Sequence, residues 1–363
     1  MKKIILFLSI FFFSLLGISQ NQYSFFVAGH TYGTPGTDSL GLYYPFKQKF
    51  SYLQNRTDIK FGVLTGDIVK SSDETHWNVV DSDIVELGIT TYFAFGNHDM
   101  ANRALVESRY GDPYYYYKYN NDLFIILDPN IDEWNISGEQ LTFLQNTLDS
   151  NAETSNNIFV MMHQLLWWAD DNIFKDIKLN SEQGRADTIN FWTEVEPLFH
   201  TLSNNVVMCA GDIGAGAWSS DVMYYNYDNI TFIASGMGEG IGDNFIVINV
   251  DSNIISYDLI SLNTPDISDM GNLEDYEVVG INDIDKYTNI KIFPNPSKDF
   301  INISSKTDFV SISISDISGN YVLNKKVNKN DDIIDIAHLQ SGIYFIKIYF
   351  NNNTYITRKL VKQ

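Results

Sequence analysis

Cysteine is almost absent from this chain of 363 residues, in which Cys209 is the single example. An internal disulfide is therefore excluded, and the stability of the protein has to come from packing and from any bound metal. Basic side chains are also scarce, because 24 Lys and Arg residues stand against 45 Asp and Glu residues and give a net charge of −21. Since binding to a phosphate backbone depends on clustered Lys and Arg, this deficit argues against a nucleic-acid partner.

Long apolar runs are confined to the start of the chain, MKKIILFLSIFFFSLLGIS. There Lys2 and Lys3 precede an apolar stretch, and Gly17 and Ser19 stand at cleavage-site spacing. This arrangement predicts a secretory signal peptide over residues 1–19. The alternative is a membrane anchor, but the stretch is short for a span of about 20 residues and no second candidate follows. We therefore expect export, cleavage after Ser19 and no transmembrane span afterwards.

The two signs of charge are unevenly distributed along the rest of the chain. Residues 20–262 hold 11 basic and 32 acidic side chains, whereas residues 290–363 hold 10 basic and 6 acidic ones. Between them, residues 263–289 hold 7 acidic side chains and one lysine and lose regular periodicity. This pattern predicts one domain over 20–262, a solvated acidic linker over 263–289 and a second domain over 290–363.

The first domain alternates between apolar strands and helical stretches, which predicts an α/β fold with right-handed crossovers and a parallel sheet. The strand candidates include YSFFVAGH, KFGVLTGD, TTYFAFGNHD, LFIILD, NIFVMMHQ and VVMCAGDIG. Helices are predicted around 40–55, 73–87, 137–149 and 182–203, and from near Asp99; the helix near 137–149 opens with Ser137 as cap and Gln140 three residues on. The last strands, ITFIASGMG and FIVINV, are expected to pair antiparallel.

Polar side chains follow several of these strands directly, so the carboxyl ends of parallel strands would bring them together at one edge. His30, Asp67, Asn97 and His98 are predicted neighbours, and two further apolar runs end in His163 and Asp212. Carboxylate oxygens, an amide oxygen and imidazole nitrogens suit Zn, Mn or Fe, and Asp67 is placed to bridge two ions about 3.5–4 Å apart. These strand ends therefore predict a metal site.

Residues 22–250 resemble the calcineurin-like metallophosphoesterases. The similarity lies in four blocks in the family's order, which are His30, Gly66-Asp67, Gly96-Asn97-His98-Asp99 and His163. The resemblance implies an α/β/β/α sandwich and a phosphoester hydrolysed by a metal-activated hydroxide. It also implies that Asp67 bridges two ions, that Asn97 and His163 bind one of them, and that His98 protonates the leaving group while Asp99 orients it.

Two departures from the family pattern affect the metal site. Ala28 stands where the first block has an Asp, and Gly211-Asp212-Ile213-Gly214 stands where the fifth block is Gly-His-x-His. Asp212 is able to replace the first of those histidines as an oxygen ligand, whereas Gly214 cannot replace the second. The resemblance therefore predicts one or two divalent ions.

One ion would keep four ligands, which are Asp67, Asn97, His163 and Asp212. The other ion would keep only His30 and the shared Asp67. The second ion is then absent or completed by water, substrate, Asp73 or Asp243. As an alternative, His30 hydrogen-bonds a substrate oxygen and has a catalytic role.

Residues 290–363 carry a second resemblance. The segments IKIFPNPSKDFINI, ISISDISGNYVL, IDIAHLQSGIYFIKI and RKLVKQ are similar to the carboxy-terminal sorting domain of type IX secretion. The strand-like alternation of these segments itself predicts a small all-β sandwich. The resemblance implies a partnership with the type IX secretion machinery and a secreted or outer-surface location, and the alternative is an ordinary adhesion sandwich.

The leading hypothesis is a secreted phosphoesterase that acts on a small-molecule or cell-surface phosphomonoester or phosphodiester. Only Arg103 and Arg109 lie near the third block to offset the repulsion between an acidic protein and phosphate. The runner-up is a non-catalytic protein that binds a glycan or another ligand on the same fold. A third hypothesis is a metal-assisted hydrolase that acts on a different bond.

Overall fold

The computed structural model describes residues 22–37, 40–238, 240–278, 291–304, 309–316, 320–327, 331–350 and 355–363. The predicted signal peptide, 1–19, lies outside the described residues, and so does residue 279 onward in the predicted linker. The structure therefore bears on the two domains and on the first half of the acidic segment.

Strands and helices alternate through most of the first domain, as the sequence predicts. The strands are β1 (Gln22–Ala28), β2 (Ile59–Thr65), β3 (Thr90–Ala94), β4 (Tyr115–Tyr119), β5 (Asp122–Ile126), β6 (Asn157–Met161), β7 (Asn205–Ala210), β8 (Val222–Tyr227), β9 (Ile230–Ser235), β10 (Asn244–Asp251) and β11 (Ile254–Ser261). The helices are α1 (Tyr44–Lys47), α2 (Phe50–Asn55), α3 (Glu74–Leu87), α4 (Asn97–Met100), α5 (Arg103–Tyr110), α6 (Gly138–Asn151) and α7 (Glu196–His200).

These strands form two sheets rather than one. The first sheet has the order β11-β10-β1-β2-β3, in which β1, β2 and β3 are parallel and β10 is antiparallel to β1 and β11. The second sheet has the order β4-β5-β6-β7-β9-β8, with a parallel centre from β5 to β9. The ends of β1, β2 and β3 share one sheet edge, as predicted for the residues that follow them, whereas the ends of β6 and β7 belong to the second sheet.

The two sheets pack face to face because most central strands are apolar on both faces. Aromatic side chains fill the space between them, with ring centroids 5.0 Å apart for Phe25 and Phe159 and 5.2 Å apart for Phe61 and Phe124. Helices cover the two outer faces, where Trp77 of α3 lies in one apolar cluster and Leu144 of α6 in another. This layering confirms the α/β/β/α sandwich.

Helix α3 agrees with its prediction, whereas α6 starts differently. The side chain of Asp73 accepts hydrogen bonds from the N–H groups of Thr75 and His76 at the start of α3. At α6 the Ser137 hydroxyl donates to Asp132 instead of capping the helix, and Gln140 hydrogen-bonds the backbone of Asp128. The predicted Ser137–Gln140 capping pair is therefore wrong, because both side chains have partners in the preceding loop.

The long helix predicted over 182–203 is also wrong. Turns continue to Asn190, and a π-helical turn at Phe191–Val195 then leads into α7. The side chain of Asn190 accepts from the N–H of Ile136 at 3.1 Å and donates to its carbonyl at 2.8 Å. These two hydrogen bonds fix the backbone at Asn190, which lies within the predicted helix, and a helix does not form on its N-terminal side.

The described first half of the acidic segment packs against the first domain. Leu273 is fully buried beside the face shared by the two sheets, within a short 3-10 helix at Leu273–Tyr276. The N–H of Val278 donates to the carbonyl of Tyr224 in β8 at 2.8 Å. Residues 263–278 therefore pack against the first domain. The predicted boundaries of the two domains and the linker, 20–262, 263–289 and 290–363, stay a prediction.

The second domain is built from antiparallel strands alone. They are β12 (Lys291–Phe293), β13 (Phe300–Ser304), β14 (Phe309–Asp316), β15 (Tyr321–Lys326), β16 (Asp331–Asp335), β17 (Gly342–Phe350) and β18 (Tyr355–Lys362). Their sheets have the orders β12-β13-β16 and β15-β14-β17-β18. Isoleucines such as Ile301, Ile312 and Ile346 are fully buried in one core, which confirms the small all-β sandwich.

Candidate metal centre

Two glycines allow the sheets to touch where β1 and β7 end. A Cβ atom added to Gly29 would lie 2.3 Å from the carbonyl oxygen of Ser235 and 2.5 Å from Cα of Gly211. A Cβ atom added to Gly211 would lie 2.0 Å from the carbonyl oxygen of Thr65. Because neither position has room for a side chain, the strand ends of the two sheets approach backbone to backbone.

The residues after Gly29 and Gly66 share an unusual backbone conformation. His30 has a φ of 52° and Asp67 a φ of 48°, both in the left-handed region, which costs a residue other than glycine about 1–2 kcal/mol. The N–H of His30 also donates to the carbonyl of Gly66 at 3.0 Å. Such strain persists where the surrounding structure enforces it, and it concentrates at functional sites.

Asp67, His163 and Asp212 converge from the two sheets into one buried cluster. His163 Nε2 lies 3.4 Å from Asp67 Oδ1 and 3.6 Å from Asp212 Oδ1. Ligand atoms from all three side chains lie within 4.8 Å of one another. The His163 ring is fixed, because its Nδ1 donates to the carbonyl of Thr65 at 2.9 Å and leaves Nε2 to face the carboxylates.

Unpartnered polar atoms in this cluster fit a cation. Within the described chain, His163 Nε2 and both carboxylate oxygens of Asp212 are buried and have no hydrogen-bond partner. Burying such groups without a partner costs on the order of 1–3 kcal/mol each, and more for charged groups. One nitrogen with two carboxylates is a donor set that suits Zn, Mn or Fe. The residues present therefore fit a divalent ion.

The pKa values of the cluster show how strongly these groups interact. Burial lowers the pKa of His163, but the carboxylates of Asp67 and Asp212 outweigh it and raise that pKa to about 10. Burial raises the pKa of Asp212 well above its ordinary value. For Asp67, burial is outweighed by His163 and His30, and its pKa is lowered. Positive charge between the two carboxylates is thus strongly favoured.

His98 borders the cluster but is half-buried rather than enclosed. Its N–H donates to Asp67 Oδ1 at 3.1 Å, and its Nδ1 donates to the carbonyl of Lys70 at 2.8 Å. Asn97 is half-buried beside it, at the first position of α4. The ring of His98 therefore has Nε2 as its remaining nitrogen for a ligand.

Asp99 does not orient the His98 ring, so that part of the prediction is wrong. The Asp99 carboxylate is fully buried and accepts from the N–H groups of Ile68, Val69 and Gly96 at 2.8–3.0 Å. Burial and the nearby Asp67 raise its pKa to about 7. Asp99 ties the loop after β2 to the start of α4, and so it holds the backbone that carries Asp67.

His30 lies on the far side of Asp67, with its Nε2 3.9 Å from Asp67 Oδ2. Its Nδ1 lies 2.8 Å from the carbonyl oxygen of Met237, so Nδ1 donates and Nε2 carries the lone pair. Burial lowers the pKa of His30 to about 4, even though Asp67 opposes the shift. At neutral pH this imidazole is therefore a neutral acceptor directed toward Asp67.

Two positions that the family resemblance assigns to metal ligands carry no ligand side chain here. Ala28 is fully buried in the apolar cluster under the helices. Gly214 has a φ of +80°, and an added Cβ would lie 2.5 Å from the carbonyl carbon of Gly236. Of the two suggested substitutes, Asp73 caps α3. Asp243 Oδ1 accepts from the N–H groups of Gly238 and Gly240, whereas its buried Oδ2 has no hydrogen-bond partner among the described residues.

Arg103 and Arg109 are engaged in ion pairs outside the cluster. Arg103 pairs with the fully buried Asp128 at 2.8 Å. Arg109 pairs with Glu74 and Asp81, both at 2.5 Å. The expectation that these two arginines offset the repulsion of phosphate receives no support, because acidic partners already neutralise both.

Sequence reasoning missed three residues that shape the site. The ring of Tyr32 lies between two imidazoles, with centroid distances of 4.3 Å to His30 and 5.1 Å to His98. The carbonyls of Thr65 and Met237 fix the rings of His163 and His30. Met237 follows an apolar strand, as the other site residues do, and this position is the one sequence signal that could have found it. A hydrogen bond to a backbone carbonyl does not depend on residue type, so the roles of Thr65 and Met237 cannot be predicted from the sequence.

Comparison with known proteins agrees with the two domains. The family described as "Secretion system C-terminal sorting domain" matches residues 291–363. The second domain is thus a sorting domain of type IX secretion, which indicates secretion and attachment at the outer surface. Among the described residues, every helix is too short or too polar to cross a membrane.

The first domain shares its fold with phosphoesterases. A purple acid phosphatase from yellow lupin (Lupinus luteus) seeds superposes with a TM-score of 0.51 at 12% identity, covering 68% of this chain and 53% of that chain. A Staphylococcus aureus protein described as a 5'-nucleotidase superposes with a TM-score of only 0.40 at 14% identity, covering 77% of this chain and 61% of that chain. At such identities the likeness to the phosphatase shows the fold alone.

One curated protein is related in sequence. An endo-acting ulvan lyase of Formosa agariphila is 25% identical over an alignment of length 223 that covers 53% of this chain and 40% of that protein. The chain therefore spans less than half the length of the curated relative that it matches.

Proposed function

We propose that this protein is a secreted metal-dependent phosphoesterase that works with a single divalent cation. The observation that carries the proposal is the buried cluster of Asp67, His163 and Asp212, with three ligand atoms that lack hydrogen-bond partners among the described residues. Asn97 is the fourth proposed ligand. The cation is Mn, Zn or Fe, since mixed nitrogen and oxygen donors suit these metals.

A divalent cation bound there supplies Lewis-acid polarisation of a phosphoryl oxygen and a lower pKa for a coordinated water. His98 is the proposed proton donor to the leaving group. The hydrogen bond from its Nδ1 to the carbonyl of Lys70 fixes the ring and leaves Nε2 for the substrate. Its partial exposure suits a group that has to exchange protons with solvent.

His30 is proposed to accept a hydrogen bond from substrate or from water rather than to complete a second metal site. Its Nε2 is unprotonated at neutral pH, because burial lowers the pKa of the ring and Nδ1 donates to Met237. Tyr32 packs between His30 and His98 and keeps the two rings apart. A site with one cation clamps fewer phosphoryl oxygens than a two-ion site, so we expect slower hydrolysis.

The proposal is tested by metal analysis and by activity on the same preparation. Protein purified without chelator is expected to hold about one equivalent of Mn, Zn or Fe and to hydrolyse an aryl phosphomonoester or phosphodiester. Asp67→Asn is expected to lose both the ion and the activity, with Asp73→Asn as a control on an exposed helix cap. Metal-free protein, or an Asp67→Asn variant as active as the natural protein, contradicts the proposal.

A second candidate function is ligand or glycan binding without catalysis on the same fold. Ala28 and Gly214 favour it, because the positions that carry metal ligands in the resembled family lack ligand side chains here. Binding of an oligosaccharide without turnover of any phosphate ester distinguishes it from the first candidate.

A further inference from the structure

A cavity of about 490 Å³ is lined by residues outside the metal centre. Its walls come from α5, the start of β4 and α6, including Arg103, Glu107, Asp112, Tyr114, Tyr116 and Phe143. The volume falls within the range of pockets that hold small organic ligands. None of these side chains belongs to the cluster of Asp67, His163 and Asp212, so the cavity is a distinct feature.

Aromatic rings form one wall of this cavity. Tyr116 belongs to β4, Tyr114 immediately precedes that strand, and both line the cavity. The ring centroid of Phe143 lies 5.1 Å from that of Tyr114 and 6.2 Å from that of Tyr116. Tyr116 is 46% exposed, so a ring face is open to a ligand.

Negative charge dominates the rest of the lining. Glu107 and Asp112 supply two carboxylates, whereas Arg103 is the one basic residue on the wall. Arg103 pairs with Asp128 at 2.8 Å and with Glu107 at 3.5 Å, so its one positive charge stands against the three negative charges of Glu107, Asp112 and Asp128. The surrounding region, residues 20–262, carries 32 acidic and 11 basic side chains and so adds a negative field.

We propose that this cavity binds an organic cation, such as an alkylammonium group. An ammonium over aromatic faces is attracted by the ring quadrupoles, and the two carboxylates add a Coulomb term of the same sign. The negative charge of the lining repels an anionic ligand, and it gives a neutral ligand no additional affinity. The combination of rings and carboxylates therefore selects the charge of the ligand.

Two short chains of neighbouring residues connect the cavity lining to the metal centre. Arg103 begins α5 a short turn after the helix that carries Asn97 and His98. On the other side, Gln164 follows His163 and donates from its side chain to Asn130 at 2.7 Å, next to the cavity residue Ile131. If the proposed function holds, the substrate is a phosphoester of an amino alcohol, whose ammonium group is held here while its phosphate lies at the cation.

Calorimetric titration of the full chain, loaded with its metal, tests cation binding without using activity. Choline is expected to bind about tenfold more tightly than 3,3-dimethylbutanol, its uncharged carbon analogue of equal shape. Tyr116→Ala is expected to weaken choline binding about tenfold, while Tyr116→Phe keeps the ring and most of the affinity. Tyr44→Ala removes a tyrosine of α1 that is 69% exposed, against 46% for Tyr116, and serves as the control.

Three outcomes overturn the proposal. These are equal affinity for choline and its neutral analogue, equal effects of Tyr116→Ala and Tyr44→Ala, and tighter binding of a neutral methyl glycoside than of choline. Asp67→Asn separates this proposal from the proposed function. Choline binding that survives this variant supports a distinct cation cavity even if no hydrolysis is found, whereas its loss shows that choline binds at the metal centre.

Discussion

The two sides of Asp67 differ sharply in what they offer a cation. On one side, His163 and Asp212 direct three buried ligand atoms without hydrogen-bond partners toward it, among the residues that the structure describes. On the other side, His30 Nε2 lies 3.9 Å from Asp67 Oδ2, Ala28 is part of the apolar core and Gly214 is packed against Gly236. A metal-ligand position is therefore lost where neighbouring backbone takes the space that a ligand side chain would need, as Gly236 does at Gly214.

The largest difference between the two sides is expected in metal affinity. Asp67→Asn removes a charge from the three-ligand cluster and is expected to weaken binding of Mn or Zn at least about 100-fold. His30→Ala is expected to weaken it less than tenfold, because this ring lies on the poorer side. Titration of each apoprotein with metal measures both constants. Equal losses would mean that His30 is a full ligand.

An attempt to rebuild the poorer side is expected to cost stability. Gly214→His forces a side chain into a left-handed conformation and against Gly236, and is expected to lower the free energy of unfolding by about 2–5 kcal/mol. Gly184→His is the matched control, since Gly184 also has positive φ but its Cβ would meet open space. Chemical denaturation compares the two variants. A stable Gly214→His protein with two bound ions contradicts the packing argument.

Metal should stabilise the folded protein through the richer side alone. At a free concentration 100 times Kd, Mn or Zn is expected to add about 2.7 kcal/mol to the free energy of unfolding. Asp212→Ala removes two unpartnered oxygens and is expected to abolish most of this gain, whereas His30→Ala keeps it. Thermal unfolding with and without chelator checks the difference, and a metal effect unchanged in Asp212→Ala would place the ion elsewhere.

The smallest effect is expected at the opposite end of the first sheet, where charges pair without an enclosed site. Hydrogen bonds from Arg56 lower the pKa of Asp58, so the pair stabilises the fold above the unfolded pKa near 4 and the gain fades as pH falls below it. Because the pair is partly open to solvent, Asp58→Asn should cost about 1 kcal/mol or less at pH 7. Denaturation at pH 7 and pH 3 should show the difference shrinking in acid.

The strand ends were the predictable part of this site. Glycine followed by a polar side chain after an apolar run marks Asp67 and His30 in the sequence, and both lie where the strands end. The count of sheets was not predictable from the alternation, because parallel strands of one sheet or of two give the same local pattern. The number of sheets depends on which strand faces pack together. Contacts such as the one between the rings of Phe25 and Phe159 cannot be seen in the local sequence pattern.

Side-chain roles were harder to predict than positions. Asp99 follows His98 in sequence, yet its carboxylate points to backbone N–H groups of another loop, since burial demands several donors. The segment over 182–203 has helical spacing, but the contacts of Asn190 with Ile136 override that preference. Local pattern fails where a distant loop supplies the stronger partner.

The close approach of Gly29 and Gly211 also bears on when, during folding and export, the proposed cation can bind. The four proposed ligands come from both sheets, so under the proposed function a cation would bind only after the two halves of the sandwich have closed on each other. A chain that crosses a membrane unfolded would therefore cross it without an ion. The ion would then come from the compartment where folding is completed, not from the one where the polypeptide was made.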